Sequence, residues 1–171
     1  THPGEEHVVL DVFRKLLPSH PELFLILIPR HIERGPEVLD AVRQAGFEDV
    51  LTMKEMTVGR PRKRERIVVV DVIGELFKIY SLAEVVFCGG SLVPKGGQNI
   101  LEAAAWGKVV LYGPHMEDFL QEKGLLEEAG AGVPVRDAGE MLERIESLLA
   151  DPAELARRGA AGARTVAANQ G

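Results

Sequence analysis

At 171 residues, 46% of them hydrophobic, the chain can bury a substantial core and has the mixed aliphatic and charged composition of an α/β domain. The 20 basic against 26 acidic side chains leave a formal charge of -6, which argues against a surface built mainly to bind nucleic acid and makes any anion site a local one. No apolar run reaches the roughly 18 residues of a membrane span, nothing at the start resembles a secretion signal, and a soluble polypeptide is expected.

The chain opens at Thr1-His2-Pro3-Gly4 without an initiator methionine. Its first pattern, Glu5–Leu17, is helical, whereas an α/β domain normally starts on a strand, so a piece of a longer protein is expected. Short, β-branched, unalternating runs follow at Leu23–Ile28, Ile67–Val70, Val85–Phe87, Val109–Tyr112 and Val133–Val135, as in strands covered on both faces. Between them lie helical patterns at Gly35–Ala45, Gly74–Ser81, Gly97–Trp106, Met116–Ala129, Ala138–Leu149 and Pro152–Ala168, punctuated by Pro and Gly. The alternation predicts a doubly wound parallel sheet in a single domain spanning residues 1–171. The lone cysteine, Cys88, cannot form an internal disulfide and reads as a small core residue in a reducing compartment.

In such sheets ligands bind beyond the carboxyl ends of the strands. That selects Pro29-Arg30-His31, Asp71 to Glu75, Gly89 to Gly97 and Gly113-Pro114-His115. The basic run Arg60 to Arg66 precedes the second strand and falls on the opposite rim; it reads first as a solvated loop and second as a surface for anionic lipid head groups.

The stretch after Cys88 carries the strongest chemistry. Gly89-Gly90-Ser91 and Gly96-Gly97 let the backbone turn and leave room for a ligand. A helix starting at Gly97 would aim unpaired N–H groups and a positive dipole end into that space, which suits phosphate, although such turns also occur without ligands. Asn99 and Glu102, three residues apart, would share one helix face, and a carboxylate there can accept from both hydroxyls of a ribose or simply favour the dipole. Trp106 reads as core rather than as a base-stacking platform. Met53 and Met56 read as apolar filler. His115 reads equally as a ligand contact or a loop histidine, while His7 and His20 lack motif context.

The segment from Gly89 to Lys108, followed by Gly113-Pro114-His115-Met116, resembles the bacterial 3-deoxy-D-manno-octulosonic acid (Kdo) transferases. Thr1 to Glu6, Pro29 to Arg34, Asp71 to Leu76 with Tyr80, and Ala83-Glu84-Val85 match the same family in order and approximate spacing. The resemblance implies a GT-B glycosyltransferase of two Rossmann-like halves, with this chain as the C-terminal, donor-binding half and the N-terminal acceptor-binding half outside it. It implies transfer of Kdo from CMP-Kdo to lipid A precursor (lipid IVA) in lipopolysaccharide biosynthesis, at the cytoplasmic face of the inner membrane. By the same likeness Arg30, assisted by His31, would address the donor phosphate or carboxylate. Gly74, Glu75 and Leu76 would offer backbone amides, Gly90, Ser91, Gly97 and Asn99 would complete the phosphate and sugar contacts, and Glu102 would hold the ribose. Thr1 and His2 would touch the Kdo moiety. No metal or other cofactor is expected, because GT-B enzymes usually stabilise the leaving phosphate with helix dipoles and basic side chains, and the sequence offers no clustered ligand set.

The sequence departs from the family at Gln98, where histidine is usual, and at Ile32, Ile100 and Ala103, where proline is usual. Glutamine hydrogen-bonds but carries no charge, so it cannot serve a role that needs an imidazole. Inverting transfer needs a general base, which the family places in the N-terminal half. No catalytic base is therefore assigned here, and the isolated chain is expected to bind CMP weakly and transfer nothing. Two other readings keep the glycine turn: a UDP-sugar glycosyltransferase or 2-epimerase, and a noncatalytic nucleotide-binding module.

Overall fold

The computed structural model describes residues 1–59, 65–73 and 76–170. The chain forms two compact units, Thr1–Gly74 and Glu75–Gly171. Each has its own three-stranded parallel sheet, so the α/β, Rossmann-like class read from the sequence is what the structure shows.

In the first unit, α1 (Glu5–Leu16) has Glu5 and Glu6 in its first turn and Arg14 and Lys15 in its last, the arrangement a helix dipole favours. Its Leu10 and Phe13 pack with Val38 and Val42 of α2 (Gly35–Gln44) onto Leu27, Ile67 and Val69 of the sheet. The strands are β1 (Leu25–Leu27), β2 (Val50–Thr52) and β3 (Ile67–Val69). β3 lies in the middle, with Ile67 paired to Leu25 on one side and Val50 on the other. β2 and the short α3 (Met53–Thr57) were not expected from the sequence. Three residues are too few to display a period, but the helix start had a signal: Thr52 Oγ1 accepts from Glu55 N at 3.2 Å, the T-x-x-E cap. Met53 and Met56 sit half-buried on α3.

The second unit contains α4 (Leu76–Tyr80), β4 (Val85–Cys88), α5 (Leu101–Ala105), β5 (Val109–Tyr112), α6 (Leu120–Ala129), β6 (Gly132–Pro134), α7 (Ala138–Ala150) and α8 (Pro152–Ala168). β5 is central and buried along its whole length, which explains why its sequence does not alternate. Cys88, Ile100, Ala103, Ala104, Val110, Tyr112 and Leu126 share one core with Val166 of α8. α8 comes close because Gly159 and Gly162 carry no side chain: a Cβ at 159 would collide with the Gly107 carbonyl, and one at 162 would lie 2.5 Å from the Ala131 Cβ. Asp137 and Asp151 cap α7 and α8, accepting from Glu140 N (2.9 Å) and Glu154 N (3.1 Å).

Three sequence expectations are corrected. The helix predicted over Gly97–Trp106 is only Leu101–Ala105. Gly96 and Gly97 take left-handed φ values of 79° and 85°, and the Asn99 side chain bonds forward to Leu101 N at 2.9 Å, so the backbone before Leu101 has an alternative to the helix. The helix predicted from Met116 begins with a 3-10 turn, Glu117–Phe119, and becomes regular at Leu120. Trp106, read as core, is 44% exposed just past the end of α5. Among the described residues no helix is long and apolar enough to cross a membrane.

Candidate functional site

In the second unit β4 delivers the chain into the glycine turn. Gly90 has φ 72°, and Gly97 N donates back to the Gly90 carbonyl at 2.9 Å, closing residues 90–97 into a loop. Ser91 is fully buried. Its Oγ donates to the Cys88 carbonyl (2.6 Å) and accepts from Gly113 N (2.9 Å), bridging the ends of β4 and β5. Two more bonds zip the following loop to the turn: His115 N to Ser91 O at 2.8 Å, and Asp118 N to Gly96 O at 3.1 Å. The loops after β4 and β5 therefore form one platform, a joining that sequence reading did not supply. The Ser91 hydroxyl proton is already given to Cys88, so the serine shapes the turn; donating to a phosphate would break that bond.

Because α5 has only five residues and starts at Leu101, the turn is not followed by the helix dipole expected at Gly97. Asn99 is exposed and serves the turn into α5 through its bond to Leu101 N, so it and Glu102 are not partners on one helix face. Glu102 stands in the first turn of α5, half-buried, with no side-chain bond among the described residues. Its carboxylate lies close enough to Tyr80 to act on it: burial first, and the charge of Glu102 second, push the Tyr80 phenol up from 10.0 to about 12. Tyr112, the only other tyrosine, is also pushed up, chiefly by burial and then by Glu127. A raised folded-state value stabilises the fold below pH 10 and loses that contribution as pH climbs through 10 toward 12. An ultraviolet tyrosinate titration should therefore find almost no ionised tyrosine in the native protein at pH 10 and about half at that pH in denaturant.

His115 Nδ1 lies 3.3 Å from Glu117 Oε1 on the platform. The Glu117 backbone N–H, and then His115, hold the Glu117 carboxyl below its usual range. Lys95 is an exposed cation inside the closed loop. A lysine between glycines of a tight turn is itself a sequence signal for an anion site, one that the site residues named above do not include.

In the first unit the structure brings Thr1, His2, Arg30 and His31 together. Thr1 N donates to the Ile28 carbonyl (2.6 Å) and Arg30 N donates to the Thr1 carbonyl (2.8 Å), laying the opening residues along the loop after β1. The His2 and His31 rings meet edge to face with centroids 6.3 Å apart. The Arg30 side chain is exposed and makes no bond to any described residue. Below them sits a group the sequence reading missed. Arg34 pairs with the buried Glu6 at 2.7 Å and with Glu37 at 3.0 Å, and this bonding, Glu6 foremost, raises its pKa. Glu6 and Arg34 are 28 residues apart, and no local pattern links them. Gly74 and Glu75, and the basic run from Arg60 to Arg64, lie outside the described residues; Leu76 is described only as the start of α4.

The chain is 34% identical, over its whole length, to the 3-deoxy-D-manno-octulosonic acid transferase of Haemophilus influenzae, of which it spans 40%. It is 32% identical over 90% of its length to the enzyme of that name from Aquifex aeolicus, spanning 41% of it. Its fold superposes on the C-terminal CMP-Kdo binding domain of WaaA from Acinetobacter baumannii with a TM-score of 0.87 and 27% identity, covering 97% of this chain and 85% of that one. By sequence and fold alike, the chain is a relative of the Kdo transferases. No protein-family model matches it. The chain spans about two fifths of the length of the Kdo transferases it matches.

Proposed function

We propose that this chain is the donor-binding part of an inverting Kdo transferase, holding CMP-Kdo for transfer to lipid A precursor in lipopolysaccharide assembly at the cytoplasmic face of the bacterial inner membrane. The observation that carries the reading is the superposition on a CMP-Kdo binding domain along 97% of the chain. Exposed Arg30 has the planar fork that pairs with a phosphate or carboxylate, and nothing among the described residues competes for it. The platform loops allow close backbone approach, and half-buried Glu102 can accept from both ribose hydroxyls. In this reading basic side chains and backbone N–H groups stabilise the departing CMP without a metal ion, and the acceptor and the general base belong to the rest of the protein, so this chain alone binds donor without turning it over. The basic residues from Arg60 to Arg66 add attraction to anionic lipid.

Replacing Glu102 by alanine should weaken CMP binding by about 10- to 100-fold, the worth of hydrogen bonds to a charged group. Calorimetric titration of parent and variant checks this, and equal affinities would remove Glu102 from the site. The full-length enzyme should transfer Kdo equally well with and without a chelator.

A further inference from the structure

Arg30 can meet an anion only if its loop is held in place, and one side chain, Arg34, joins the backbone contacts that hold it to both neighbouring helices. The Thr1 carbonyl receives two donors, Arg30 N at 2.8 Å and Arg34 Nη1 at a longer 3.4 Å. The same guanidinium gives Nη2 to Glu6 Oε1 (2.7 Å) and Nη1 to Glu6 Oε2 (3.5 Å) on α1, and Nε to Glu37 Oε2 (3.0 Å) on α2. Two helices and the opening residues of the chain thus meet on one planar fork. Glu5, fully buried beside Glu6, ties the next residue by accepting from His2 N at 2.8 Å.

We propose that Arg34 is a positioning residue of the donor site: through the Thr1 carbonyl it helps hold Thr1 and His2 against the Arg30-His31 loop, so that the two imidazoles and the exposed Arg30 are presented by one ordered loop to one anionic group of the donor. This rests on the donor-binding reading above. A purely structural ion pair with Glu6 would need only a cation at position 34. Reaching Glu6, Glu37 and the Thr1 carbonyl together takes four contacts from three nitrogens in a fixed plane, which lysine lacks. The Arg34→Lys variant separates the two roles, because it keeps a charge for buried Glu6 and loses the fork.

The test uses the 171-residue chain and its R34K variant, with three measurements: urea unfolding, the nuclear Overhauser contact between the His2 and His31 rings, and titration with CMP. The expected result is a variant that remains folded in the absence of urea, loses the ring contact and binds CMP about 10-fold more weakly after correction for the folded fraction. A variant that keeps both the ring contact and the parent's affinity overturns the proposal, as does an affinity loss that only follows the unfolded fraction. If the parent itself fails to bind CMP while the variant still loses the ring contact, the donor reading falls and the positional role of Arg34 stands.

Discussion

Replacing Arg34 by methionine should destabilise the first unit by about 3–5 kcal/mol, the cost of removing one partner of a buried ion pair. The arginine side chain is 13% exposed and that of Glu6 only 5%, so the carboxylate left behind has little access to water. Glu37 and the Thr1 carbonyl lose their contacts to the guanidinium in the same step, the carbonyl keeping its bond from Arg30 N. The measurement is the urea midpoint of the variant set beside the Arg34→Met/Glu6→Leu double variant. The double variant should recover most of the loss, because two apolar side chains leave no charge stranded. A single variant within about 1 kcal/mol of the parent, the size of a surface pair, would mean that the Arg34–Glu6 contact is solvated.

Alanine at Gly113 should damage stability and binding together. A Cβ there would collide with the Ser91 carbonyl oxygen and would lie 2.6 Å from Ser91 C and 2.8 Å from Leu92 N. These are backbone atoms on the turn itself, so no side chain can swing aside. Relief requires the loops after β4 and β5 to part, lengthening the bonds from Gly113 N to Ser91 Oγ and from His115 N to Ser91 O. Overpacking of this kind costs about 1–3 kcal/mol. Since it reshapes the platform, CMP affinity should fall at least 10-fold even where the protein remains folded. An alanine variant with unchanged CMP affinity would separate the platform from the nucleotide. Alanine at Gly124, where an added Cβ meets nothing within 4 Å, is the matched control and should leave binding untouched.

How far the sequence could be read depended on the range of the interaction. β5 has the bounds expected from its aliphatic run because burial along its whole length makes every residue of it apolar, and α7 and α8 begin where Asp137 and Asp151 signal caps because a cap rests on contacts within a few residues. The helix at Gly97 failed for a local reason outside the hydrophobic pattern: two left-handed glycines and an asparagine bonding forward delayed it to Leu101. Trp106 is exposed at the C-cap of the five-residue α5, where its apolar character alone does not tell which way it faces. The site divides in the same way. Arg30, Gly90 and Glu102 were nominated by motif, whereas the Arg34–Glu6 pair and the bond from Ser91 to Gly113 span 28 and 22 residues and follow from the folded arrangement of the strands.

The most direct test of the account is calorimetric titration of this chain with CMP and, in parallel, with UMP. Saturable binding of CMP, tighter than UMP and weakened by Arg30→Ala, is the result the CMP-Kdo reading predicts. No response to CMP, or a preference for UMP, would contradict it and return the glycine turn to a different nucleotide sugar or to none.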